Sequence, residues 1–251
     1  MLSKNILKHY STLLNKKFRD KEEKFIVEGM RLVEEGLKSN FECETVIVTE
    51  NYNKHNAEVI KSLLKEGDVE IVGEVEFKKM TDTKSPQGIL GVFKKGNQNF
   101  IIEPNAELIL AMEDISDPGN VGTIFRNADW FGLKNIILSG ECAEVFNPKV
   151  LRASMGSVFH IDFLESGNLY DELGRLKQSG YKIAVADMEG VSIYDYTKPK
   201  KLVLVVCNEA HGPTKQLLDL ADLKLTIPAK GKAESLNVAS ASAVILNELT
   251  K

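Results

Sequence analysis

Short apolar runs alternate with amphipathic stretches along the whole chain. Runs rich in valine, isoleucine and leucine, such as 108–112 and 202–207, have the length and composition of buried strands. Between the runs, apolar residues recur at helical spacing, as over 57–66 and 169–179, which predicts amphipathic helices. Strands that alternate with helices indicate an α/β fold, and continuously apolar strands indicate a parallel sheet covered on both faces.

A polar interval divides this alternation into two parts. Residues 96–106 include Gly96-Asn97-Gln98-Asn99 and Glu103-Pro104-Asn105, which are typical of turns. We therefore predict a small α/β domain over 1–95, a linker over 96–106 and a second domain over 107–251. At 251 residues the chain is long enough for two domains of ordinary size.

The two ends of the chain carry helices in this interpretation. Apolar residues from Ile6 to Leu14 have helical spacing with lysines between them, which predicts one basic amphipathic helix over 2–17. Near the C terminus a short strand runs into Pro228. Ser235 follows as the predicted N-cap of a last helix over 235–249.

Composition narrows the class of protein. A hydrophobic content of 43% and a charged content of 27% are ordinary for a globular protein, and the apolar runs are too short to cross a bilayer. The N terminus lacks the apolar core of a signal peptide, so we expect a cytoplasmic protein without a membrane anchor. Three scattered cysteines and four histidines have no metal-ligand spacing, which predicts reduced thiols and no metal site.

Charge is distributed unevenly. Seven basic and three acidic residues give residues 1–24 a net charge of +4, which leaves −8 on the remainder of a chain whose total is −4. A basic segment on an acidic body suggests an anionic partner such as nucleic acid. A solvated helix face explains the same pattern and is favoured on charge alone.

Three polar or glycine-rich stretches follow predicted strands, at 113–129, 207–213 and 225–238. Open parallel sheets bind ligands beyond the carboxyl ends of their strands, so these stretches are candidates for one common site. None contains the G-x-G-x-x-G or G-x-x-x-x-G-K-[ST] pattern, which disfavours a dinucleotide-dependent oxidoreductase and a P-loop nucleotide hydrolase. The G-x-S-x-G pattern of serine hydrolases is missing as well.

The same stretches form three ordered motifs. These are Asp117-Pro118-Gly119-Asn120-Val121-Gly122 with Arg126-Asn127-Ala128, then Asn208-Glu209-x-x-Gly212, and then Ile227-Pro228 through Gly231 with Glu234-Ser235-Leu236-Asn237-Val238. Together they resemble the motifs of the knotted RNA ribose methyltransferases, the SpoU/TrmH-like branch of the SPOUT class. The segment Asn147–Gly156 is also similar to the family's segment between the first two motifs, and the whole resemblance extends over 107–249.

The first domain carries a weaker resemblance. Lys24–Leu32 and Ser85–Leu90 are similar to segments of the family's N-terminal RNA substrate-binding domain, a small α/β module like some ribosomal proteins. Both pieces have the expected place in the chain. The resemblance therefore covers both predicted domains.

The resemblance implies properties that periodicity alone does not predict. The fold would be a knotted parallel-sheet methyltransferase domain, with a deep C-terminal trefoil, preceded by the ribosomal-protein-like domain. S-adenosylmethionine would bind within the knot, and the protein would be a homodimer with its sites at the interface. The implied activity is S-adenosylmethionine-dependent 2'-O-methylation of RNA ribose, with ribosomal RNA favoured over transfer RNA because of the substrate-binding domain.

Site residues follow from the motifs position by position. The resemblance assigns catalysis and substrate binding to Arg126, Asn120, Glu209, Ser235 and Asn237, and cofactor binding to Cys207, Ile227, Gly231 and Leu236. No metal is implied.

Several of these assignments have a structural alternative. Arginine is effectively always protonated, so Arg126 is better suited to hold a phosphate or ribose than to act as a base, and a phosphate oxygen is a candidate proton acceptor. A surface ion pair would also explain Arg126. Helix capping would explain Asn120, and a helix-start carboxylate would explain Glu209.

Cys207 departs from the family pattern, which usually has glycine at this strand end. Cysteine is small, but its Cβ excludes some backbone angles that glycine adopts. A negative φ at Cys207 would make the change harmless, and we expect this case.

Other functions remain open at this stage. The enzyme could act on transfer RNA, or it could be a base methyltransferase of the same class, which the ribose-type motifs disfavour. A non-catalytic RNA-binding or assembly factor that kept the fold would also agree with the acidic body and with Cys207.

Overall fold

A computed structural model describes residues 3–66, 68–96, 100–103, 106–208 and 210–251. The elements in these ranges are, in chain order, α1 (Lys4–Thr12), α2 (Lys16–Glu22), β1 (Lys24–Glu28), α3 (Met30–Lys38), β2 (Cys43–Thr49), α4 (Glu50–His55), α5 (Ala57–Glu66), β3 (Val69–Val72), α6 (Glu74–Lys78), β4 (Ile89–Lys94), β5 (Leu108–Glu113), α7 (Pro118–Trp130), β6 (Asn135–Ser139), α8 (Pro148–Ser154), β7 (Asp162–Ser166), α9 (Leu169–Gln178), β8 (Lys182–Ser192), β9 (Leu202–Cys207), α10 (Lys215–Leu220), β10 (Leu223–Thr226) and α11 (Val238–Leu249). A 3₁₀ turn at Ser157–Phe159 follows α8. Among the described helices, none is both long and apolar enough to span a bilayer.

The chain divides into two compact units. The first comprises Met1–Gln98 together with Val145–Phe159, and the second comprises Asn99–Glu144 together with His160–Lys251. The segment Val145–Phe159 therefore belongs to the first unit, although the domain limits predicted from sequence place it in the second domain.

The first unit is built on a mixed four-stranded sheet in the order β1-β4-β2-β3. Strand β4 is antiparallel to both β1 and β2, whereas β2 and β3 are parallel. The single helix predicted over 2–17 is wrong, because the chain turns after α1 and starts again as α2. Asn15 caps α2 by accepting a hydrogen bond from the Lys17 backbone N–H at 3.0 Å, which ends one helix and begins the next.

An aromatic cluster explains why the Val145–Phe159 segment packs in the first unit. Phe25 is fully buried on β1. Its ring centroid lies 4.3 Å from that of Phe146 and 6.4 Å from that of Phe159, and 5.8 Å from that of Phe93 on β4. Burial of these rings is a large apolar contribution to the core of the first unit.

The second unit is built on a six-stranded sheet, in the order β10-β8-β9-β5-β6-β7 among the described strands. Every pairing in it is parallel. Strands β5 and β9 are buried at each of their positions, so the sheet is covered on both faces as the continuous apolar runs predicted. The α/β class and the parallel sheet are confirmed, and the trefoil knot stays a prediction.

Two elements of the second unit differ from their predicted limits. The apolar sequence at 182–186 predicts a strand of that length, but β8 continues to Ser192, and much of the additional part is exposed. Helix α11 begins at Val238, and its N-cap is Asn237 rather than Ser235. The Asn237 Oδ1 atom accepts hydrogen bonds from the backbone N–H groups of Ala239 and Ser240, at 3.1 and 3.3 Å, so Ser235 remains outside the helix.

Candidate active site

The carboxyl ends of β5, β9 and β10 lie at one edge of the parallel sheet. Glu113, the last residue of β5, is paired in register with Cys207, the last residue of β9. The three polar stretches predicted from the sequence leave the sheet at this edge. It is the edge at which open parallel sheets bind ligands.

Glu113 is buried and fully engaged in hydrogen bonds. It is 1% exposed. It accepts hydrogen bonds from the Tyr170 hydroxyl at 2.9 Å, from Thr214 Oγ1 at 2.7 Å and from the Thr214 backbone N–H at 3.0 Å. Burial raises the pKa of Tyr170, and Glu113 adds to that shift. This carboxylate therefore joins β5, α9 and the loop after β9, a role that our sequence analysis missed.

Asp114 forms a constrained turn directly after β5. Its φ of 57° lies in the left-handed region, which is uncommon for residues other than glycine. Ser139 Oγ accepts from the Asp114 backbone N–H at 2.9 Å and donates to Asp114 Oδ1 at 2.7 Å. The Asn208 side-chain amide donates to the Asp114 carbonyl at 3.0 Å. These bonds fix the first and second polar stretches relative to each other.

Asn120 and Asn237, two of the predicted site residues, are directly bonded. The Asn237 Nδ2 atom donates to Asn120 Oδ1 at 3.0 Å, which connects the start of α7 to the start of α11. Capping does not explain Asn120, because Asp117 is the N-cap of α7 and accepts from the Asn120 backbone N–H at 2.9 Å. The two asparagine amides thus connect the first and third motifs.

Asn127 makes a second connection between α7 and α11. Its Nδ2 atom donates to the Ala239 carbonyl at 2.7 Å and to Ser242 Oγ at 3.0 Å. Asn127 follows Asn120 by seven residues, or about two helical turns, so both amides lie on one face of α7. That spacing is visible in the sequence and could have identified Asn127.

A cavity of about 600 Å³ opens at the same edge of the sheet. Its walls include the buried apolar side chains of Val206, Leu225 and Ile245. The volume lies within the range of about 300–1,000 Å³ that is typical of small-molecule sites. The predicted site residues that line this cavity are Cys207, Ile227, Gly231, Ser235 and Leu236.

Cys207 adopts the geometry that we expected to be harmless. Its φ lies outside the left-handed region, so a Cβ atom causes no backbone strain. The side chain is 7% exposed. Burial, with a further contribution from neighbouring Glu113, raises the pKa of the thiol well above its ordinary value. Cys207 is therefore a protonated thiol in the cavity wall at neutral pH.

Asp187 is the acidic residue on the β8 side of the cavity. It accepts from Lys224 Nζ at 2.8 Å, and its carboxylate also accepts from the Glu189 backbone N–H. Burial opposes ionisation, but the bonds from Lys224 and Glu189 outweigh it and lower the pKa of Asp187. Its charge is thus balanced within the fold.

Arg126 lies on α7 with an exposed side chain. It is not among the residues that line the cavity. Within the described part of the chain it forms no hydrogen bond or ion pair, so the surface ion pair considered above does not occur there.

The prediction for Glu209 falls on a residue outside the described ranges. A search of the described residues finds no group of three or more histidine, cysteine or acidic side chains that could hold a metal ion.

Comparison with known proteins finds two family models that match this chain. The SpoU rRNA Methylase family model matches residues 107–247, and the MRM3-like substrate binding domain model matches residues 4–91. A Bacillus subtilis protein named 23S rRNA (guanosine(2553)-2'-O)-methyltransferase RlmP is 34% identical over 97% of this chain and 95% of its own length.

Solved structures are similar over nearly the whole chain. A TrmH-family protein from Porphyromonas gingivalis is 33% identical, with a TM-score of 0.87 over 99% of this chain and 98% of its own. An AdoMet-bound rRNA methyltransferase from Sinorhizobium meliloti is 30% identical, with a TM-score of 0.84 over 99% and 95%. The S. meliloti protein thus binds S-adenosylmethionine on the same fold. The motifs, the arrangement at the sheet edge and these matches lead to one conclusion. The chain belongs to the SpoU rRNA methylase family.

Proposed function

We propose that this protein transfers a methyl group from S-adenosylmethionine to a ribose 2'-hydroxyl of RNA, and that ribosomal RNA is its substrate. The observation that carries the proposal is the cavity at the carboxyl edge of the sheet, which is lined by all four predicted cofactor residues. The family membership and the names of the relatives support the reaction and the substrate class.

The cavity suits S-adenosylmethionine in chemistry as well as in size. Buried Val206, Leu225 and Ile245 offer apolar walls for an adenine ring, while exposed Lys230, Glu234 and Ser235 give a polar rim for the amino-acid end. Cys207, Ile227, Gly231 and Leu236 would hold the cofactor. When bound, it supplies a methyl group activated by the positive charge of its sulfur.

The protein's own part in this reaction is to position the acceptor. We assign Arg126 to a phosphate or ribose oxygen of the RNA, because an exposed guanidinium with no described partner is available for charge-assisted bonds. Asn120, Asn237 and Ser235 would hold the ribose, with Glu209 as the acid that orients Arg126. Alignment of the hydroxyl with the methyl group is then the main catalytic effect.

We further propose that the enzyme is a homodimer whose sites are completed by the partner subunit. Arg126 does not line the cavity of its own chain, so a second copy is a source of the arginine. The same helix ends in Trp130, which is 84% exposed, and Val244 on α11 is 36% exposed. Large exposed apolar side chains on two neighbouring helices are suited to an interface between subunits.

The first unit is proposed to recruit the RNA, as the predicted substrate-binding domain of residues 1–95. Lys8, Lys16 and Lys17 are exposed on α1 and α2, with no side-chain partner within the described residues. Not every cation of the basic segment is available, since Arg19 is 2% exposed and donates to the Leu13 carbonyl, and Lys24 pairs with Glu44. We place the protein in the cytoplasm, with its proposed ribosomal substrate.

The decisive test is methyl transfer from labelled S-adenosylmethionine into fractionated RNA. We expect label in ribosomal RNA, at one nucleotide whose 3' linkage resists alkaline hydrolysis because its 2'-hydroxyl is methylated. Label in transfer RNA would change the substrate, and label on a base nitrogen would contradict ribose methylation. If calorimetry detected RNA binding without cofactor binding, a non-catalytic RNA-binding factor would be the better explanation.

A further inference from the structure

Lys230 is the single basic residue among the described residues that line the cavity. Two acids, Asp187 and Glu234, also line it. The carboxylate of Asp187 is already balanced by Lys224. Lys230 and Glu234 are both exposed, and neither has an ion pair or side-chain hydrogen bond with a described residue. The cavity rim therefore presents a lysine whose ammonium group is not bonded to any described side chain, and a glutamate in the same state.

Side chains already accept hydrogen bonds from several backbone N–H groups at the two helix starts beside the cavity. At the start of α11, Asn237 Oδ1 already accepts from the first backbone N–H groups. At the start of α10, Thr214 Oγ1 accepts from the Leu217 N–H, and Glu113 accepts from the Thr214 N–H. These N–H groups are therefore not free for an anionic group in the cavity, and Lys230 is the cationic side chain that the described lining offers to one.

We propose that Lys230 binds the carboxylate of the methionine part of S-adenosylmethionine. This deepens the proposed function by assigning a residue to one end of the cofactor, and it rests on that function. The cofactor carries two positive charges, on its sulfonium and its ammonium, and one negative charge on its carboxylate. The carboxylate and the ammonium share one carbon, so the amino-acid end is close to neutral while the sulfonium is positive. A lysine that bonds the carboxylate therefore favours the orientation that places the amino-acid end at Lys230 and the sulfonium away from it.

The neighbouring Lys232 provides a matched control. It lies on the same exposed loop and carries the same charge, but it does not line the cavity. An RNA phosphate outside the cavity would be reached by either lysine. A carboxylate inside the cavity would be reached by Lys230 alone.

The test is calorimetric binding to the full-length protein, without RNA. The two ligands are S-adenosylmethionine and decarboxylated S-adenosylmethionine, which differ only in the carboxylate. We expect Lys230→Gln to weaken binding of S-adenosylmethionine about fivefold. Binding of the decarboxylated ligand, which carries two positive charges and no carboxylate, should not be weakened, because the variant removes a repulsion from it. Lys232→Gln should change neither affinity, and both variants should melt as the wild type does because both side chains are exposed.

Other outcomes would overturn the assignment. Equal losses for both ligands would mean that Lys230 does not recognise the carboxylate. Unchanged cofactor affinity with weakened RNA binding would make Lys230 an RNA contact instead. If the expected ligand selectivity is found but RNA is not methylated, the proposed function fails while the role of Lys230 stands.

Discussion

Arg126 is a residue whose role depends on charge rather than on packing. We expect Arg126→Ala to lower the single-turnover rate of methyl transfer by about 10²–10³, or about 2.7–4 kcal/mol, by analogy with the loss of a positioned charge-stabilising donor. The free energy of unfolding should change by less than about 0.5 kcal/mol, because the side chain is exposed and has no described partner. Cofactor affinity from calorimetry should be unchanged.

Arg126→Lys is the matched variant. It keeps the positive charge but loses the planar fork, so we expect poor rescue of the rate. Wild-type turnover in Arg126→Ala would refute the assignment, and a lowered melting temperature would make Arg126 a structural residue.

Cys207 gives a second test at the residue scale. Because its φ is accessible to any residue, we expect Cys207→Gly to bind S-adenosylmethionine with an affinity within about twofold of wild type. The variant should be less stable by about 1–2 kcal/mol, since it loses a buried side chain and since glycine loses more backbone entropy when the strand folds. Calorimetry and denaturant titration measure the two effects. A large gain in affinity would indicate that the thiol obstructs the cofactor.

The side-chain amide of Asn237 has two roles at the start of helix α11. Asn237 caps the helix through Oδ1 and bonds Asn120 through Nδ2. We expect Asn237→Ala to cost about 1 kcal/mol of unfolding free energy from the lost cap, with a further loss from the broken Asn120 bond. Ser235→Ala should be close to neutral for stability, since Ser235 caps nothing.

Asn237→Asp separates the two roles. A carboxylate keeps the cap but cannot donate to Asn120, so this variant should recover most of the stability and leave the two motifs unconnected. Thermal melts of the three variants provide the comparison. Equal stability of Asn237→Ala and wild type would contradict the assigned cap.

At the scale of elements, the prediction from sequence succeeded where burial leaves a pattern. The run at 202–207 is buried at every position of β9, and its continuous apolar sequence marked it as a strand. Helices α4 and α6 have six and five residues and were missed, because apolar residues cannot recur at helical spacing over so few turns. The exposed part of β8 was missed for a related reason, since exposed strand positions carry no apolar signal.

The site was predictable from the motifs only in part. Five predicted residues, Cys207, Ile227, Gly231, Ser235 and Leu236, line the cavity, but its β8 side, which includes Asp187, was not predicted. The hydrogen bonds of Glu113 join residues 57 and 101 positions away, Tyr170 and Thr214, and no local pattern signals them. Such contacts exist only after the sheet has formed.

At the scale of the whole molecule, recruitment of RNA should be tested without truncation. Removing residues 1–95 would leave Phe146 and Phe159 without the rings that bury them. We expect a variant with Lys8, Lys16 and Lys17 all changed to Gln to bind RNA more weakly. The slope of the logarithm of the binding constant against the logarithm of the salt concentration should become about 2 less steep, because fewer counterions are released.

A matched control removes the same charge elsewhere in the first unit. Lys54, Lys78 and Lys79 are exposed on or beside α4 and α6, and their change to Gln should affect RNA binding less. Filter binding at several salt concentrations measures both variants. Equal effects would show that total charge, rather than the α1–α2 surface, determines binding.

The proposed dimer can be tested by complementation. Gly231→Trp should block the cavity without disturbing the fold, since a Cβ atom at Gly231 meets no atom within 4 Å. If Arg126 acts on the cavity of the partner subunit, co-expression of Arg126→Ala and Gly231→Trp should restore about a quarter of wild-type activity through mixed dimers. Inactive mixed dimers would mean that Arg126 acts within its own chain.

The discontinuous first unit has a consequence for synthesis of the protein. Phe25, Phe41 and Phe93 emerge from the ribosome early, but Phe146 and Phe159, whose rings complete their cluster, are made later. At a translation rate of about 5–20 residues per second, the delay between residues 96 and 159 is about 3–13 seconds. During this interval the nascent chain has an incomplete aromatic core, so we expect it to bind chaperones that recognise exposed apolar surface.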